Sequence, residues 1–183
     1  MSITLETPRL ILRRFTDNDL EPFLAYRSDP EVSRYQGWSE PYTREMAEEF
    51  IREMKTRQPG KLGQWFQWAI ELRASGEMLG DCAFYLLERD ASQAEIGVTL
   101  SRAHQGQGYA QEAIQRLLEY LFDDLGLHRV CANCDPENLP AWQILERMGF
   151  RREAYFVESL WFKGRYASEY WYAMLSLEWL ATR

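Results

Sequence analysis

The 183-residue chain has no apolar run approaching the length of a membrane span. Its beginning, which carries Glu6 and Arg9, shows no basic-then-apolar leader. A cytoplasmic protein with no membrane partner is therefore expected. Basic charge is not in excess either: 21 Lys and Arg face 28 Asp and Glu, for a formal net charge of −7. That balance argues against nonspecific binding of nucleic acid and suits a cationic substrate such as an amine. Cysteine and histidine are scarce, at three and two residues. Cys131 and Cys134 form a C-x-x-C, but no second pair exists, and His104 and His128 have no ligand spacing with it. Residues three apart on a strand point to opposite faces, so no metal is expected and the cysteines read as structural. Repeats, low-complexity tracts and linker-like shifts are also missing. With 46% apolar residues, the chain reads as one globular domain spanning 1–183.

Among what is present, the run Gln105-Gly106-Gln107-Gly108-Tyr109-Ala110 is the most informative. Ala94 to Leu100 ahead of it reads as a strand. Behind it, Ala110, Ala113, Ile114, Leu117, Leu118, Leu121 and Phe122 keep the spacing of one helix face. The glycines therefore form a loop ending at a helix N-terminus. Without Cβ atoms, Gly106 and Gly108 let successive backbone N–H groups turn toward one point. The first N–H groups of the helix are unpaired and the helix dipole adds positive charge there, which suits a phosphate or pyrophosphate. A Walker loop is excluded because Gly-Lys-Ser/Thr is absent. The dinucleotide fingerprint is disfavoured because Gln111 stands where its third glycine belongs, and Asp123 and Asp124 end a helix instead of following a second strand.

Elsewhere, Leu10 to Phe15 reads as a strand, and Thr16 or Asp17 can cap a helix in which Leu20, Phe23 and Leu24 share a face. Thr43 caps a helix carrying Met46, Ala47, Phe50, Ile51 and Met54. Trp65 to Leu72 and Met78 to Leu87 flank a Ser75-Gly76 turn. His128 to Cys134 is a further strand, and Asn138 caps a helix that Gly149 ends. Ala154 to Phe162 and Arg165 to Ser176 read as a hairpin around Lys163-Gly164. Strands and helices in this order imply an α/β sandwich with a mixed sheet.

The glycine run resembles the Gln/Arg-x-x-Gly-x-Gly/Ala motif with which the GNAT superfamily of N-acetyltransferases grips the pyrophosphate of acetyl-CoA. Asn138 to Phe150 is similar to that superfamily's Asn-x-x-Ser/Ala…Leu-Glu-Lys-x-Gly-Phe helix. Thr7-Pro8-Arg9-Leu10 and the segment from Lys163-Gly164-Arg165 through Ala173-Met174-Leu175 to Glu178-Trp179 look like the RimJ/RimL-type branch, named for ribosomal-protein alanine N-acetyltransferases. The resemblance covers essentially the whole chain. It implies a mostly antiparallel mixed sheet flanked by helices, with strands 94–100 and 129–134 splayed to hold acetyl-CoA. It also implies that Val98, Thr99 and Leu100 contribute backbone groups to the pantetheine arm, that Gln105, Gly106, Gln107, Gly108, Tyr109 and Ala110 hold the pyrophosphate, and that Asn138 lies against the CoA arm. Homodimers are common in the superfamily.

Acetyl transfer to an amine requires a free-base nucleophile. An α-amine, with pKa roughly 7.7–8.0, costs only about 1 kcal/mol to deprotonate at pH 7, whereas a lysine at about 10.4 costs roughly 4–5 kcal/mol. Glu95 matches the strand position where some superfamily members carry a glutamate base; Asp81, His104 and Glu169 are lesser candidates. Ala141 and Leu145 occupy the places where relatives keep a Ser or Tyr general acid. Tyr109, Tyr155 and Tyr166 are the available substitutes. Trp38, Trp65, Trp68, Trp142 and Trp161 are read as an aromatic set around the acceptor side. The expected activity is direct transfer, in a ternary complex, from acetyl-CoA to a primary amine, with a peptide or protein N-terminal α-amine leading. A small-molecule amine (amino sugar, polyamine or amino acid) and a non-catalytic CoA-binding module are the alternatives.

Overall fold

The computed structural model describes residues 3–182, and its centre is an eight-stranded sheet. The strands are β1 (Leu5–Glu6), β2 (Leu10–Arg13), β3 (Trp65–Leu72), β4 (Met78–Leu87), β5 (Asp90–Leu100), β6 (Arg129–Cys134), β7 (Arg151–Phe162) and β8 (Arg165–Leu175). Their spatial order is β1-β2-β3-β4-β5-β6-β8-β7. Every neighbouring pair is antiparallel except β5 and β6, which are parallel. The helices are α1 (Leu20–Arg27), α2 (Pro30–Ser33), α3 (Arg44–Thr56), α4 (Tyr109–Glu119), α5 (Leu139–Arg147) and α6 (Ser176–Ala181).

The pleat separates two environments. Phe66, Trp68, Cys82, Phe84, Ala94, Ile96, Val130 and Met174 belong to the main core, with Ala113, Ile114, Leu117 and Leu118 of α4. That is the helix face expected from the spacing. The alternate residues face α1 and α3, where Ala69 and Met78 pack with Phe15, Phe23, Tyr26, Ala47, Ile51 and Met54. Burying each Leu or Phe side chain is worth about 1.5–3 kcal/mol, so both clusters anchor their helices. The same sheet face also carries polar residues: Gln67, Asp81, Thr99, Glu95 and Asn133 fall in this alternation.

The parallel β5/β6 pair is short. Gln93, Ala94 and Glu95 pair with Arg129, Val130 and Cys131, and pairing stops there. Beyond that point Ile96 to Leu100 pair only with β4, and Ala132 to Cys134 only with β8. The sheet is forked, as expected for strands 94–100 and 129–134, with Glu95 the last joined residue of β5.

Local signals explain most boundaries. Thr43 Oγ1 accepts from the Met46 N–H at 3.3 Å and starts α3. Gly149 ends α5 at φ +88, with Gly149 N–H donating to Glu146 O and Phe150 N–H to Leu145 O, both at 3.0 Å. Several elements differ from expectation: β2 stops at Arg13 rather than Phe15, and β1 and α2 were not expected. β5 begins at Asp90, not Ala94, because Asp90 already pairs with Leu87 across a tight turn. The helix after the glycine loop changes to a π-type turn over Tyr120–Asp124, which still buries Leu121 and Phe122. The C-terminal hairpin starts at Arg151 and gives way at Ser176 to α6, which buries Trp179.

Candidate active site

The fork opens into a cleft of about 650 Å³. Glu95, Gly97 and Thr99 of β5, Asn133 and Cys134 of β6, and Asn138 and Ala141 at the start of α5 form its wall around the split. Arg27, Trp38, Gln67, Asp81 and Glu169 contribute from the other elements. Of the residues expected to take part, Glu95, Val98, Thr99 and Asn138 line this cleft. Leu100 and Gln105 to Ala110 lie beyond it, along the same strand and into α4.

Glu95 is half-buried, and Asn133 Nδ2 donates to its Oε1 at 3.3 Å. Burial, reinforced by the negative charge of Glu169, raises its pKa above the ordinary carboxylate value. A carboxylate with a raised pKa is a stronger base once ionised, which is what proton abstraction requires. Asn138 begins α5, but its side chain makes no capping bond to the first turn and faces the cleft. The capping expected of it is carried by its carbonyl alone, which accepts from Ala141 N–H at 3.1 Å.

The glycine loop has the geometry that its composition implies. Gly106 and Gly108 sit at φ +73 and +81, a region that side chains with a Cβ rarely adopt. Gly108 is the N-cap of α4. Gln105 turns back, its Nε2 donating to Leu100 O at 3.0 Å. Arg9 was missed as part of this region. Its Nη1 donates to Gln107 O at 3.0 Å, its Nε pairs with Glu112 at 2.6 Å, and its guanidinium lies 4.6 Å from the centre of the Tyr109 ring. Nothing local in the sequence ties residue 9 to residue 107. The loop's exposed glycines, the free helix N-terminus and the unpaired side of β5 fit an anionic, extended CoA arm.

Other expectations need correction. His104 is not in the cleft: Ser101 Oγ lies 2.6 Å from its Nδ1, and Glu77 lies 3.4 Å from its Nε2, so it braces the loop. Asp81 is 3% exposed and tied to Tyr26 and Arg27. Only Trp38 and Trp65 of the five tryptophans line the cleft. Trp68 is fully buried in the main core, Trp142 packs against that core, and Trp161 is exposed on β7. Tyr155 and Tyr166 are largely exposed and Tyr109 stacks with Arg9, so none of the three reaches the cleft. Ala141 and Leu145 do line it, leaving those two positions without a proton donor.

Cys131 and Cys134 are free thiols that burial pushes up to about 11 and about 12, which keeps both protonated at neutral pH. Among the described residues, no group of three or more His, Cys, Asp or Glu is placed to hold a metal. No described helix is long and apolar enough to cross a membrane.

Residues 9–151 match the family model described as an acetyltransferase (GNAT) domain. The chain belongs to the GNAT acetyltransferase family. It is 33% identical over 180 residues to the uncharacterized N-acetyltransferase p20 of Bacillus licheniformis, covering 96% of this chain and 97% of that protein. A crystal structure of a GNAT-family acetyltransferase from Bacillus anthracis superposes with a TM-score of 0.83 at 29% identity, covering 96% of this chain and 99% of that one. A spermidine N(1)-acetyltransferase of Vibrio cholerae is 37% identical over 73 residues, 40% of this chain and 42% of that protein. The protein is thus an N-acetyltransferase, an acyltransferase of a family that uses acetyl-CoA and an amine acceptor.

Polar cleft residues that sequence reasoning missed include Arg27, Gln67 and Asn133. Arg27 follows Phe23 by four positions, so a charged residue stands on the buried face of α1. That anomaly was visible in the sequence. Gln67 and Asn133 carry no comparable signal.

Proposed function

We propose that this protein transfers an acetyl group from acetyl-CoA to a primary α-amine, by direct attack within a ternary complex. The observation that carries the proposal is the fork. β5 and β6 separate immediately after Glu95, and the half-buried carboxylate faces the cleft at that point. Acetyl-CoA supplies the activated thioester. The backbone of Val98, Thr99 and Leu100 pairs with the pantetheine arm, as an added strand would. Gln105, Gly106, Gln107, Gly108, Tyr109 and Ala110 hold the pyrophosphate, and Asn138 hydrogen-bonds the arm where it enters the fork. Glu95 takes the proton from the acceptor amine. An α-amine needs only about 1 kcal/mol of help at pH 7, within reach of one carboxylate. With Ala141 and Leu145 in the donor positions, the thiol, whose pKa is near 8.5, leaves without a dedicated acid.

The proposal includes a single cytoplasmic domain over 1–183 of the RimJ/RimL-like branch, acting on a peptide or protein N-terminus. A homodimer is part of it: β7 is an edge strand, and Phe156, Val157 and Trp161 on it are exposed. The second reading, a small-molecule acceptor, draws on the covering of the cleft. Lys163 at the hairpin tip donates to Ser33 O at 2.7 Å and pairs with Glu40, and Arg165 reaches Asp135 at 3.1 Å. The test is free-thiol release from acetyl-CoA across peptides, polyamines and aminoglycosides. Release that depends on peptide α-amines is the expected result. Release with polyamines alone moves the activity to the second reading, and tight CoA binding with no release on any amine overturns acetyl transfer.

A further inference from the structure

Three buried side-chain donors have no hydrogen-bond partner among the described residues: Trp142 Nε1, Trp171 Nε1 and Arg27 Nε. Of these residues only Arg27 lines the cleft. It is 5% exposed, its guanidinium 3.9 Å from the centre of the Trp38 ring. Its hydrogen bonds all leave from Nη2, at 3.2 Å to Asp81 Oδ2 and 3.3 Å to Gln67 Oε1. Asp81 is also committed to the Tyr26 hydroxyl. Because the Gln67 carbonyl accepts from Arg27, its Nε2 is left as a donor in the same cleft wall. The charge itself is paired with Asp81, but the buried Nε donor has no acceptor, a cost that nothing among the described residues returns.

The cleft also carries the carboxylates of Glu95, Asp135 and Glu169, with Glu95 on the same sheet face as Gln67. Gln67 aligns with Gly97 through Ala83, so it stands two strands across and two residues along from Glu95. Strand spacing and rise put their backbones roughly 12 Å apart. Resting on the proposed amine acetylation at Glu95, we infer that Arg27 and Gln67 form a carboxylate subsite for the acceptor. The acceptor then carries its anionic group several bonds from the amine, as a short peptide does. A polyamine has no group for this wall.

The test compares the dipeptide alanyl-alanine with its C-terminal amide, which share one α-amine and differ in the carboxylate. The native protein is expected to acetylate the free acid with at least tenfold higher kcat/KM. Arg27→Met should bring the two within about twofold, mostly through KM for the free acid, with CoA affinity unchanged. Gln67→Leu leaves the Arg27–Asp81 pair in place, so it guards against a folding defect in the first variant; it should lower the preference several-fold. Equal kcat/KM for acid and amide in the native protein, or a preference that survives both substitutions, overturns the subsite while leaving acetyl transfer standing. Acetylation of polyamines with no turnover of either dipeptide also overturns it. Failure of every amine to release thiol overturns the proposed activity itself.

Discussion

The loop side of the cleft is made from one stretch of chain, β5 beyond Glu95 through the glycine turn into α4, over 96–119. The other side, proposed to take the acceptor, is gathered from far-apart pieces: Arg27 of α1, Trp38 after α2, Gln67 of β3, Asp81 of β4, Glu95 of β5 and Glu169 of β8. On the first side, backbone shape dominates, through positive-φ glycines and a strand edge that has lost its β6 pairing beyond Glu95. On the second, side-chain charge dominates, through the carboxylates of Glu95 and Glu169 and a buried guanidinium paired with Asp81. A shape built from adjacent residues is written in the sequence as spacing. A charge pattern brought together by sheet register is not.

The sharpest way to separate the two sides is to disable one and leave the other. Glu95→Gln removes the proton acceptor and nearly preserves size, so the single-turnover rate should fall by roughly 10²–10⁴-fold. CoA affinity, set on the loop side, should hardly change; a matching loss of CoA binding would merge the two sides.

Gly108→Val is the converse. It forces a β-branched residue into φ +81 at the N-cap of α4 and brings a Cβ to 3.3 Å from Arg9 Nη2. CoA affinity by titration calorimetry should weaken by more than about tenfold, with a native circular dichroism spectrum. Unchanged affinity would remove the loop from the site.

A subtler effect is expected from Glu169→Gln. Burial and the Glu169 charge both raise the Glu95 pKa, so removing that charge stabilises ionised Glu95 and lowers its pKa. Activity through Glu95 requires the ionised form and is lost as pH falls through that pKa. The acid limb of the rate profile should therefore move to lower pH in the variant; an unmoved limb would mean that the two carboxylates do not communicate.

The smallest effect belongs to the cysteines. With both thiols protonated by burial, Cys131→Ala combined with Cys134→Ser should retain turnover, and elemental analysis should find no stoichiometric zinc. Bound metal, or activity lost without unfolding, would show that the C-x-x-C has a chemical role.

The same division governs how much of the molecule the sequence made legible. The β3/β4 bounds coincide with the expected ones because Ser75-Gly76 marks the turn between two apolar runs. Gly149 marks the end of α5 by its forced φ. The start of β5 was hidden because Asp90, Ser92 and Gln93 are polar, and only pairing with Leu87 and with Arg129 makes that segment a strand. α6 was hidden because its helical residues follow β8 directly, without a glycine or proline between them. Within the site, Glu95 could be named from its position before the loop. Its partner Asn133 could not, since β6 brings it in from 38 positions away, and the nearness of Glu169, itself among the lesser candidates, follows only from where β8 lies, 74 positions on. Arg9 reaches the glycine loop across a similar gap.

The central claim is that Glu95, at the last joined residue of the fork, takes the proton of the acceptor amine. Single-turnover rates of the native protein and Glu95→Gln, measured across pH with saturating acetyl-CoA, test it directly. The deficit of the variant should be large near neutral pH and shrink as pH rises past the amine pKa, because a free amine needs no base. A deficit constant at every pH would make Glu95 a positioning group, and no deficit at any pH would contradict the account.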